Sequence, residues 1–98
     1  MGYKVILSDR AIGDLREICK FIAKENPQAA LNVGNRLIKG TSELADFPQT
    51  GKLYCIHQAG RIYHKVISNY RIFYRVDTEA RTVDILHYRH GAQSEPTF

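Results

Sequence analysis

Tyr70-Arg71-Ile72-Phe73-Tyr74-Arg75-Val76 repeats with a period of two. Successive strand side chains point to opposite faces, so Tyr70, Ile72, Tyr74 and Val76 share one side and Arg71, Phe73 and Arg75 the other. Aromatic and β-branched residues in that rhythm read as a strand with one face on a core. On either side, Ile62 to Ile67 and Thr82 to Tyr88 have the same character, and the polar links Ser68-Asn69 and Asp77-Thr78-Glu79-Ala80-Arg81 suit hairpin connections. The segments are expected to meander antiparallel. In the last of them Val83 and Ile85 suit the core, which places Leu86, Tyr88 and His90 beside Arg71 and Arg75 on the other face. A register slip of one residue exchanges His90 for Arg89.

Before Gly51 the period is helical. Ile12, Leu15, Ile18, Cys19 and Ile22 form one apolar stripe on a helix from about residue 9 to 25, and Ser8-Asp9 offers capping oxygens at its start. A short strand, Tyr3 to Leu7, precedes it. Asn26-Pro27 ends this helix and begins the next, because Asn caps well and proline at the first helical position loses no hydrogen bond. Ala30, Val33, Leu37, Ile38, Thr41 and Leu44 carry the second stripe until Phe47-Pro48-Gln49-Thr50-Gly51 breaks it. The expectation is a single α+β domain over residues 1–98, ordered β-α-α-β-β-β, with a helical hairpin packed on one face of a small, mainly antiparallel sheet. The other face is left to solvent or a partner.

A chain of 98 residues, 44% hydrophobic and 24% charged, suits one soluble domain with a modest stability margin. No apolar run approaches the roughly 20 residues of a membrane span, and Cys19 and Cys55 read as reduced packing residues, so a cytoplasmic location is expected. The net charge of +4 is unevenly spread. Residues 1–49 hold seven basic and six acidic side chains, whereas residues 50–98 hold seven basic and four acidic. From Gln49 to Val76 there are Lys52, Arg61, Lys65, Arg71 and Arg75 and no acid. Such a region attracts an anionic partner, either nucleic acid or an acidic protein segment.

Metal and nucleotide chemistry find little support. Cys55, His57, His64, His87 and His90 lack ligand spacing, and no Gly-rich phosphate loop is present, so neither a metal nor a cofactor is expected. What remains is a surface of arginines with a tyrosine and a histidine. Cleaving RNA through its own 2′-hydroxyl needs cations for the scissile phosphate and groups for proton transfer. Arg71 and Arg89 suit the first task and Tyr88 or His90 the second. The same residue types also serve as anchors in interfaces that catalyse nothing. Residue types alone leave both readings open.

The chain as a whole resembles the RelE/ParE superfamily of type II toxin-antitoxin toxins. The resemblance rests on the element order, on Leu44-Ala45-Asp46-Phe47-Pro48-Gln49-Thr50-Gly51, on Tyr70 to Val76, and on Ile85-Leu86-His87-Tyr88-Arg89-His90-Gly91-Ala92. It implies a growth-inhibiting toxin held in a hetero-oligomer by a cognate antitoxin, ParD-like or similar. Two mechanisms occur in the superfamily. Phe73-Tyr74-Arg75-Val76-Asp77 and Arg89-His90-Gly91-Ala92 are similar to ParE, whose members poison DNA gyrase, with Lys65, Arg75 and Arg89 as the implied target-binding residues. Gln93 departs from that form, standing where an arginine is frequent. Arg71 in its Tyr-Arg-Ile context is similar to RelE, a ribosome-dependent mRNA endoribonuclease, and on that alternative Arg71, Tyr88 and His90 are the implied catalytic residues. A third reading is a degenerate toxin that only binds antitoxin. The gyrase reading is favoured.

Overall fold

Ser8 and Asn26 decide where the two helices begin. The Ser8 hydroxyl accepts the Ala11 N–H at 3.0 Å, and Asn26 Oδ1 accepts the Ala29 N–H at 3.0 Å, each satisfying a donor that a helix start leaves without an internal partner. The computed structural model describes residues 2–57 and 60–91. In these, β1 (Lys4–Leu7) leads into α1 (Asp9–Ala23), α2 (Pro27–Glu43) and then β2 (Lys52–His57), β3 (Gly60–Ile67), β4 (Tyr70–Asp77) and β5 (Thr82–His90). The strands form one sheet in the order β1-β5-β4-β3-β2. Only the β1–β5 pairing among them is parallel. Both helices pack against this sheet in an α+β arrangement, as expected.

β2 is a strand that the periodicity did not announce. Leu53, Tyr54, Cys55 and Ile56 run together without alternation, and the strand carries an irregularity between Leu53 and Cys55. It is also outermost in the sheet, with Leu53 and Ile56 exposed. Alternation marks a strand only where one face is buried and the other is not, and an edge strand with a bulge escapes that rule.

The core is the helix-facing side of β3, β4 and β5. Leu37, Leu44, Ile72, Tyr74, Val83, Ile85 and Tyr88 are buried there in one cluster. Gly40 lets α2 approach the sheet, since a side chain at that position would collide with Ile67. Lys65 lies on this same side, reaching the Gly40 carbonyl at 3.4 Å and Glu43 Oε1 at 3.3 Å, so it neutralises the last turn of α2. The Phe47 to Gly51 turn is fastened to mid-sheet by Tyr74, whose buried hydroxyl donates to the Pro48 carbonyl at 2.9 Å and accepts the Gly51 N–H at 3.0 Å. Gly51 is required by proximity: a Cβ there would lie 2.7 Å from the His64 carbonyl oxygen.

Candidate functional site

The sheet face turned away from the helices gathers the three candidate arginines and several aromatic side chains. Register places His64 opposite Phe73, Val66 opposite Arg71, and Ile62 opposite Arg75 across β3 and β4. Across β4 and β5 it places Arg71 opposite Arg89, Phe73 opposite His87, and Arg75 opposite Asp84. Phe73 is 0% exposed at the centre of this face. The Tyr54 ring meets it edge-on at 4.9 Å, the His64 ring stacks at 5.8 Å, and the Arg71 guanidinium sits 5.0 Å from its centroid. A cation over an aromatic face gains about 0.5–1 kcal/mol, which holds the guanidinium in place without neutralising it. Arg75 is tied to Asp84 at 2.8 Å. The result is a basic surface with an aromatic floor.

The last strand departs from simple alternation. Tyr74 pairs with Ile85 but Phe73 pairs with His87, so Leu86 is an extra residue and the parity of β5 inverts beyond it. Tyr88 therefore turns toward the helices instead of joining Arg71, which corrects the placement expected from alternation. It is 2% exposed and its hydroxyl lies 2.7 Å from the Thr41 hydroxyl. Thr41 spends its own proton on the Leu37 carbonyl at 2.7 Å, so Tyr88 is the donor in this pair. Burial raises the Tyr88 phenol above its ordinary value, with the Thr41 hydrogen bond opposing, and a proton so held is poorly placed for transfer to a substrate.

His90 is likewise displaced from the expected face. It pairs with Tyr70 on the helix side, ring to ring at 5.1 Å. It approaches Arg71 only at the sheet's end, where Val66, Ser68, Asn69, Tyr70, Arg71 and His90 border an open cleft of about 530 Å³. Lys65 points to α2, away from Arg75 and Arg89. The structure thus brings Arg71, Arg75 and Arg89 together on one face, turns Tyr88 and Lys65 away from them, and leaves His90 on the helix side at the border of the cleft that Arg71 also lines. Ala92 and Gln93 lie outside the described residues. Among the described residues, no three His, Cys, Asp or Glu side chains come together as a metal site. None of the described helices is long and apolar enough to cross a membrane.

His87, weighed from the sequence only as a metal ligand, and Asp14, which the sequence does not mark, also belong to this site. His87 is 5% exposed, with Nδ1 3.3 Å from Asp14 Oδ2, and the same oxygen accepts the Tyr88 N–H at 3.1 Å. Burial pushes the imidazole below its ordinary value of 6.5; Asp14 opposes this, while Arg10 and Arg89 add to it. The ring is accordingly neutral at neutral pH. Nothing local to either residue signals the contact, since 73 positions separate them and only the bulge brings His87 to α1.

A family model described as the ParE toxin of the type II toxin-antitoxin system parDE matches residues 5–95. No curated protein matches the chain. Among solved structures, the toxin-antitoxin complex RelBE2 from Mycobacterium tuberculosis is 25% identical, with a TM-score of 0.66 over 92% of this chain and 99% of that one. The chromosomal ParDE system from P. aeruginosa is 14% identical with a TM-score of 0.74, covering 90% of this chain and 95% of that one. The isolated E. coli RelE toxin is 22% identical with a TM-score of 0.66, covering 95% and 88% respectively.

Proposed function

Because this chain belongs to the ParE toxin family of type II toxin-antitoxin systems, we propose that it arrests growth by poisoning DNA gyrase and is neutralised by a ParD-like antitoxin. The observation that carries this reading is the position of Tyr88. The tyrosine that an RNA-cleaving site would use is buried among core residues and bonded to Thr41. With His90 on the helix side, neither of the two groups expected for proton transfer stands on the described part of the basic face, where the Tyr54 and His64 rings pack on Phe73 and His87 is held by Asp14. Arg71, Arg75 and Arg89 then act as contacts for a macromolecular target, steered by the acid-free stretch from Gln49 to Val76. The antitoxin is an acidic, partly disordered segment that becomes ordered on this domain in the cytoplasm, forming a toxin-antitoxin hetero-oligomer.

The test is a gyrase reaction on plasmid DNA with purified protein, followed by denaturant and protease to reveal trapped breaks. Linear DNA that accumulates with added protein supports the reading. Undiminished supercoiling and no trapped breaks, with folded protein, sink it. The endoribonuclease alternative draws on the Arg71–Arg89 pair and on His90 at the border of the cleft beside Arg71, and cleavage of ribosome-bound mRNA that Arg71→Ala abolishes would establish it.

A further inference from the structure

The bulge in β5 decides which residues stand beside Arg71. Without it, Leu86, Tyr88 and His90 would share the face of Arg71; with it, Arg89 does. Yet that register sets two guanidinium-bearing residues directly opposite each other, a cross-strand pairing that is repulsive in itself. The burial of Tyr88 beside Thr41 favours the bulged arrangement, and a further contribution comes from the outer edge of β5.

α1 and its cap supply it. β1 ends opposite Ile85, so the outer edge of β5 loses its strand partner where the bulge begins. From there the Ser8 N–H donates to the Ile85 carbonyl at 3.0 Å and the Ser8 hydroxyl donates to the Leu86 carbonyl at 3.3 Å. Asp14 Oδ2 takes the Tyr88 N–H at 3.1 Å and stands 3.3 Å from His87 Nδ1. A carboxylate offers no proton, so the imidazole contributes it from Nδ1. Consecutive residues of the bulge, Ile85 to Tyr88, thereby each find a partner between Ser8 and Asp14. Hydrogen bonds to a charged acceptor are the stronger kind, which makes Asp14 the firmest of these ties.

We propose that Asp14 is a positioning residue: through the Tyr88 N–H and His87 it holds the β5 bulge, and so sets Arg89 beside Arg71 on the target-binding face. The part of this that concerns target binding rests on the gyrase reading. The geometric part does not.

The experiment compares the full wild-type chain with Asp14→Ala and Asp14→Asn by amide hydrogen exchange, cross-strand nuclear Overhauser contacts and the trapped-break assay. In Asp14→Ala the Tyr88 amide exchanges at least about tenfold faster, while the Val83 amide in the half of β5 braced by β1 keeps its rate. The Arg71–Arg89 backbone contact weakens, and roughly tenfold more protein is needed to trap breaks. Asp14→Asn retains a carbonyl acceptor, though a neutral one, and recovers most of the lost protection, contact and potency. An unchanged Tyr88 amide and Arg71–Arg89 contact in Asp14→Ala overturns the proposal, as does unchanged potency once that contact is lost. Should Asp14→Ala not fold, a trans-hydrogen-bond coupling between the Tyr88 amide nitrogen and the Asp14 carboxyl carbon in the wild-type chain decides; its absence overturns the clamp. A wild-type chain that traps no breaks would instead remove the gyrase reading, leaving the exchange and coupling results to judge the clamp alone.

Discussion

The two faces of the same three strands obey different rules. Toward the helices, Ile72, Tyr74, Val83, Ile85 and Tyr88 are fully buried, and each hydroxyl among them finds a partner inside the fold. Away from the helices, Arg71, Arg75 and Arg89 stand over a buried Phe73 flanked by the Tyr54 and His64 rings. Neighbours in sequence thus live in different solvents: Ile72 is 0% exposed while Arg71 beside it is only half-buried. On the first face burial dictates composition, and a change costs stability. The second face is stable enough to carry charges it does not need for folding, and there a change costs function.

The sharpest way to break that contrast is to truncate adjacent residues. Ile72→Ala leaves a cavity at the centre of the core and should lower unfolding free energy by about 2–5 kcal/mol, a large share of the roughly 5–15 kcal/mol of a typical domain. Arg71→Ala, one residue away, should cost under about 1 kcal/mol. Urea denaturation of both variants checks this. Equal losses would mean that the two faces are one core.

Next in size is Tyr74→Phe. The ring still fills its place, but the Pro48 carbonyl and the Gly51 N–H lose their shared partner beneath the turn. A buried group left without its hydrogen bond costs about 1–3 kcal/mol, so the midpoint of urea unfolding should fall accordingly. Amide exchange at Gly51 should accelerate ahead of global unfolding, because this hydroxyl ties the turn to the sheet. An unchanged Gly51 amide would show that the turn holds itself.

How much of this is legible in the sequence depends on whether the signal is local. The helix starts at Ser8 and Asn26 were readable because a capping side chain acts within three residues of its target. The alternation of Tyr70 to Val76 was readable because its two faces meet such different surroundings. β2 was not, since an exposed edge strand has no reason to alternate. The bulge at Leu86 was not either: its stabilising contacts come from Ser8 and Asp14, more than seventy residues away. Extending the alternation of Val83 and Ile85 through it put Tyr88 and His90 on the wrong side. The placement read from alternation therefore agrees with the structure for Arg71 and Arg75 in β4 and departs from it for Tyr88 and His90 in β5, for one physical reason.

Tyr88→Phe sharpens the comparison at smaller cost. Its hydroxyl donates to Thr41, which still bonds the Leu37 carbonyl when the tyrosine oxygen is gone. The loss is that of one net hydrogen bond, about 0.5–1.5 kcal/mol, and growth arrest on induced expression should persist. A helix-face residue whose removal ended toxicity in a folded variant would contradict the division of labour between the faces.

Arg75→Ala should disturb folding least and is the most informative about the second face. Its ion pair with Asp84 is partly exposed, with side-chain exposures of 34% and 25%, and such pairs contribute roughly 0–1 kcal/mol after solvent screening. A double-mutant cycle with Asp84→Ala, read by urea unfolding, should return a coupling within that range. The pairing has another consequence: Asp84 aims the guanidinium and cancels part of its charge, so Asp84→Ala makes a face already holding Arg71 and Arg89 more positive. If the face binds an anionic target by charge, Asp84→Ala, which removes one negative charge from it, should bind as tightly as wild type or tighter at low salt, while Arg75→Ala binds more weakly. Equal losses in both variants would show that the target recognises the ion pair as a unit, and the face would then be reading shape as well as charge.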